Sequence, residues 1–122
     1  MWINRYICDA DLVILTGSIV HHYFAGFCGG MKVILHGCAA METVRKNHSL
    51  MMLPEVEIGK LHGNPIYEDQ IEWVSIFAKE HKLFLFNAVL DAKKQFLKIF
   101  AGDWERRTLR PVDSWTRFTG SR

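Results

Sequence analysis

Twelve consecutive residues, HHYFAGFCGGMK from His21 to Lys32, hold the densest set of groups in this chain that could do chemistry. Gly26, Gly29 and Gly30 let the backbone approach a bound group closely and adopt positive φ. Lys32 follows that loop, where a lysine can clamp a phosphate, act as an amine nucleophile or stand as a solvated charge. The spacing argues against a nucleotide P-loop, because Val33 occupies the place where GxxxxGK[ST] needs a hydroxyl. His22 lies ten residues before Lys32, and His48 sixteen residues after it. Imidazole is the usual group for proton transfer near neutral pH and a common metal ligand. Five of the six histidines, His21, His22, His36, His48 and His62, fall in this part of the chain. Taken singly, each histidine would serve equally well as a capped or core-edge residue. Cys28, in a glycine-rich and crowded loop, reads as a small space-filling residue, since nothing in the sequence aims a general base at it.

The elements that must position these residues alternate in type. Ala10–Val20 carries the apolar stretch Leu12–Leu15, the pattern of a strand buried on both faces in a parallel sheet. Met31–Leu35 is a short strand or the entry to a helix. Good helix formers run from Ala39 to about Met52, with Met41, Val44, His48 and Met51 on one face and Pro54 as the stop. Gly63-Asn64-Pro65 predicts a turn into a second helix, with Asn64 as N-cap, Pro65 at its first position and Glu68 and Asp69 in its first turn. That helix is expected to reach about His81 and to bury Ile71, Val74, Phe77 and Ala78. Leu83–Leu90 and Gln95–Ala101 read as two strands joined by a hairpin-length connection. The sum is an α/β fold, a partial mixed sheet with flanking helices.

Composition narrows the classes. A chain of 122 residues with 49% hydrophobic and 23% charged residues is the size and make-up of one globular domain. A net charge of +2 gives no electrostatic reason to expect nucleic acid or anionic lipid as partner. No apolar run approaches the ~20 residues of a membrane span, and the polar N-terminus lacks a signal-peptide core, so the expected address is the cytoplasm. Three cysteines without a CxxC do not suggest a disulfide framework. From Trp104 onward the composition shifts, with five arginines and no lysine in the last nineteen residues. Residues 1–103 are therefore expected to be one domain portion and 104–122 a divergent arginine-rich tail.

The segment GSIVHHYFAGFCGGMKVILHGCAAMETVRKNHSL, followed by LHGNPIYED, LFLFNAVLD and IFAGD, resembles the signature region of the nickel-dependent lactate racemase family. The resemblance implies a racemase or epimerase, an isomerase acting on a small 2-hydroxy acid. It also implies a nickel pincer cofactor, nickel pyridinium-3,5-bisthiocarboxylic acid mononucleotide. On the matching positions, Lys32 would carry the cofactor covalently, His48 would ligate nickel, and His22 would be one of two acid/base groups. His21 has no counterpart in the motif. Two positions depart from it: Met31 stands where the family commonly has arginine, and His36 where it commonly has proline.

Family members are much longer, so the chain reads as a truncated or frame-shifted product expected to be inactive alone. Two other readings compete: a remnant or module that still binds cofactor or metal without turnover, and a general phosphate-binding α/β module.

Overall fold

The computed structural model describes residues 2–106. A one-turn helix α1 (Arg5–Cys8) leads into strand β1 (Val13–Ile19). A short hairpin, β2 (His21–His22) and β3 (Gly26–Phe27), is followed by a π-helical turn over Val33–Gly37. Helix α2 (Met41–Ser49) tightens into a 3-10 turn at Leu50–Met52, then come α3 (Pro65–Phe77), β4 (Leu83–Leu90) and β5 (Phe96–Asp103). The sheet order is β1-β4-β5, with β1 and β4 parallel and β4 and β5 antiparallel. This is the mixed α/β fold that the sequence implies. No helix among the described residues is long and apolar enough to cross a membrane.

The core lies between one face of this sheet and the helical layer. Leu15 and Ile19 of β1 and Leu85 and Val89 of β4 meet Val74 and Phe77 of α3, with Met31 and Ile34 beside them. All eight are under a tenth exposed, and burying side chains of this size contributes ~1.5–3 kcal/mol each. The opposite face of the sheet keeps Ile14, Phe84, Phe86 and Ile99 exposed. Burial of β1 on both faces, expected from its apolar run, is thus corrected: alternate residues along the strand point to opposite sides, and only one side is covered.

Two further expectations need correction. In α2 the inward residues are Thr43 and Asn47, while Met41 and Met51 are exposed. The helix has too few apolar residues to make a stripe, and it is anchored instead by Asn47, whose amide donates to Ile66 O at 3.1 Å and to Asp69 Oδ2 at 2.7 Å. Helix α3 ends at Phe77 rather than His81. There the chain leaves regular geometry, and the His81 ring stacks on Phe77 at 3.9 Å with Nδ1 and Nε2 against Phe77 O and Cys8 O. The start of α3 is as the turn residues predict. Asn64 Oδ1 accepts the Ile66 N–H at 3.1 Å, and its amide donates to Phe24 O at 2.9 Å, so one buried cap fixes both the helix and the histidine-bearing hairpin.

Trp104, the first residue of the arginine-rich stretch, is partly buried against the main core. The rest of that stretch beyond Arg106 lies outside the described residues.

Candidate active site

The glycine loop is pressed against the carboxyl end of β1. Gly26, Gly29 and Gly30 have φ of 74°, 85° and 64°, a region that L side chains enter only at a cost. Close approach demands glycine as well: a Cβ on Gly17 would lie 2.9 Å from Gly29 Cα, and one on Gly29 would lie 2.8 Å from Ser18 O. Asn87, fully buried on β4, accepts the Gly30 N–H on Oδ1 at 3.0 Å and ties the loop to the sheet. In parallel sheets ligands bind at this end of the strands.

Beyond the loop, His22, Tyr23, Phe24, Lys32, His36 and His48 line a pocket of about 260 Å³. His22 comes from β2, Lys32 immediately precedes the π-helical turn, His36 lies within it, and His48 comes from α2. The Phe24 ring presents its edge or face to both His22 (centroids 4.5 Å apart, 77°) and His48 (5.0 Å, 72°). The His36 and His48 rings are 4.9 Å apart and within 20° of parallel. His22 Nδ1 accepts the Ala25 N–H at 3.3 Å, which leaves the proton of the neutral ring on Nε2.

Crowding makes the charged forms unfavourable here. Burial lowers the Lys32 pKa, partly opposed by Cys28. Burial also lowers that of His22, and the charges of Lys32 and His48 push in the same direction. His36 is brought down to about 4, chiefly by burial, against a raising hydrogen bond to Asn47. A neutral amine and neutral imidazoles are the nucleophilic and ligating forms.

This pocket predicts a pH dependence of stability. Because the folded His36 pKa lies below the unfolded value of 6.5, the unfolded chain binds more protons between about pH 6.5 and 4. Stability from this group is complete above that window and is lost as pH falls through it. With allowance for partial exposure, the loss by pH 4.5 should be about 1–2 kcal/mol. Urea unfolding at pH 7 and 4.5 checks this, and a His36→Phe variant with an unchanged pH dependence would contradict it.

The three positions singled out in the sequence, His22, Lys32 and His48, line one pocket. The sequence reading missed His36 as a member of that pocket. Its spacing of four from Lys32, in a segment open to helix, was the available signal. His21 is exposed and turns against Phe27 at 4.9 Å. Met31 is 1% exposed and fills the core, so the position that the family commonly gives to arginine is apolar here. Among the described residues, no group of three or more histidine, cysteine or carboxylate side chains is placed to hold a metal ion.

Residues 1–59 match the family model described as the lactate racemase N-terminal domain. The lactate racemase of Lactiplantibacillus plantarum is 41% identical over 106 residues, covering 84% of this chain and 24% of its own. That of Thermoanaerobacterium thermosaccharolyticum is 36% identical over 110 residues, covering 88% and 25%. The lactate racemase apoprotein structure from Thermoanaerobacterium thermosaccharolyticum superposes with a TM-score of 0.84 at 34% identity, over 92% of this chain and 27% of that one. A crystal structure of a Thermotoga maritima protein, at 21% identity and a TM-score of 0.72, shares the fold. The chain spans about a quarter of the length of the curated relatives it matches.

Proposed function

We infer that this chain, related to the lactate racemases through their N-terminal region, supplies the cofactor-anchoring and metal-ligating part of a 2-hydroxy-acid racemase site. The observation that carries this reading is the convergence of Lys32, His22 and His48 on one pocket from three separate segments. The residues fit a nickel pincer cofactor. The Lys32 amine is half-buried, and burial lowers its pKa, which eases the loss of the proton that covalent attachment requires. His48 offers one imidazole, and a pincer would bring the remaining donors. When bound, such a group supplies a hydride acceptor for the carbinol carbon of the substrate.

The protein's own part is to hold that group and to handle the hydroxyl proton. His22 rests with its proton on Nε2, from which the neutral ring can donate a hydrogen bond. To accept a proton there, the ring must first carry its proton on Nδ1, which gives up the bond from Ala25. Phe24 keeps both imidazoles in place through its ring contacts.

Producing the chain together with the enzymes that make the cofactor tests the reading. Intact-mass and peptide mass spectrometry should find an adduct on Lys32 that Lys32→Ala abolishes. An adduct unchanged in that variant, or none at all, would overturn the assignment.

A further inference from the structure

Two other rings hold the His48 imidazole. Phe24 meets it at 5.0 Å and 72°, and the His36 ring stacks on it at 4.9 Å, within 20° of parallel. Neither nitrogen of His48 makes a hydrogen bond among the described residues. A metal-ligating histidine is ordinarily oriented by a hydrogen bond from its second nitrogen to a carboxylate or carbonyl. Here a stacked face stands in that place and leaves both nitrogens open. The stacking ring is itself braced. Asn47 Nδ2 donates to Asp69 Oδ2 at 2.7 Å and to Ile66 O at 3.1 Å, so its oxygen is the end that faces His36. His36 Nε2 lies 3.1 Å from that oxygen and donates to it. His36 belongs to the π-helical turn that follows Lys32, and His48 to α2, so the stack joins two separate segments of the pocket. The proline that the related motif commonly has at this position offers no flat π face.

We propose that His36 is the positioning residue for His48: its ring, braced by Asn47, fixes the plane in which the His48 imidazole presents a nitrogen to a metal. The inference rests on the metal-ligating reading of His48 above and assigns what orients that ligand. The lone pair of an imidazole lies in the plane of the ring, so a ring that turns about its side-chain bonds aims it at the metal only part of the time. Stacking restricts that turning while the nitrogens, on the ring's edge, stay uncovered. His36 touches neither metal nor substrate in this role and acts through His48 alone.

The ring motion of each histidine, followed by NMR in chain labelled with ¹³C,¹⁵N-histidine, tests this. On a scale where rigid groups read about 0.85 and flexible ones below about 0.6, the His48 ring should lie near the rigid value in the unsubstituted chain. His36→Phe keeps a flat ring against His48 and should keep it there. His36→Leu removes the stack and should drop His48 toward the flexible value, while His81, stacked on Phe77 elsewhere, stays unchanged. A loss of order shared by His81 would mark general loosening and overturn the specific role. So would a His48 ring equally ordered in the Leu and Phe variants. If His36→Leu does not fold, the unsubstituted chain still decides, because a mobile His48 ring there overturns the proposal.

A metal probe supplies the second arm: nickel(II) in a small synthetic complex with a tridentate sulfur–carbon–sulfur pincer ligand, which leaves one in-plane position for an imidazole. Binding read at the His48 resonances should weaken about twofold to tenfold in His36→Leu, the cost of immobilising one side chain, and much less in His36→Phe. Equal affinity in the Leu variant overturns the positioning role alone. No binding at His48 in the unsubstituted chain overturns the metal-ligating reading, and this proposal with it. The Lys32 adduct, read by mass, is independent of both.

Discussion

Gly29→Ala should destabilise the protein by about 2–5 kcal/mol, from a left-handed backbone cost and an overpacking cost that add. The residue has φ of 85°, and its new Cβ would meet Ser18 O at 2.8 Å, Ile19 Cδ1 at 2.9 Å and Asn87 Oδ1 at 3.2 Å. Two of these neighbours belong to β1, and the third is a buried side chain of β4, so none can move away cheaply. Single domains are stable by ~5–15 kcal/mol, so the variant would be marginal. Gly37→Ala is the internal control. Its Cβ would touch only Val33 Cγ1 at 3.7 Å and needs no positive φ, so the change should stay within about 0.5 kcal/mol. Urea unfolding of both variants measures the difference, and equal midpoints would refute the steric account of the loop.

Asn47→Leu should cost about 3 kcal/mol although the branched shape is kept, because it strands several buried partners at once. His36 Nε2, Ile66 O and Asp69 Oδ2 all bond to this one amide, which is 2% exposed. Ser49→Ala, two residues along the same helix, removes an exposed hydroxyl bonded to Lys46 O and should be nearly neutral. If denaturant titration gives the two variants similar stability, Asn47 is not the anchor of α2. In the ¹⁵N-histidine spectrum Asn47→Leu should also release His36 to a mixture of tautomers while His81 is unaffected.

The parts of this molecule legible in the sequence are those fixed by neighbours along the chain. The Asn64-Pro65 entry to α3 is local chemistry, and it is found as expected. So is the β4–β5 hairpin, where Asp91 Oδ1 accepts from Lys93 and Gln95 N–H at 2.8 Å each. That His22, Lys32 and His48 share one pocket is legible only through the resemblance, since no periodicity relates them. What could not be read depends on distant partners. Asn47 gives α2 its inward face through bonds to residues 66 and 69, and His36 becomes a pocket residue only because that helix is held there. The hairpin of β2 and β3, with two residues in each strand, is too short to leave a pattern.

The parallel register has a kinetic consequence. Val13 pairs with Leu83, seventy residues away, and the whole pocket-bearing segment lies inside the loop that this pairing closes. Closing such a loop costs about 2 kcal/mol more chain entropy than closing the short β4–β5 turn. Asn87 and its bond to Gly30 join the same two distant regions, so the glycine loop gains its support from the sheet only when β1 finds β4. Contacts of this separation slow folding. The pocket is thus the product of the slow, long-range step, while the β4–β5 hairpin can form without it.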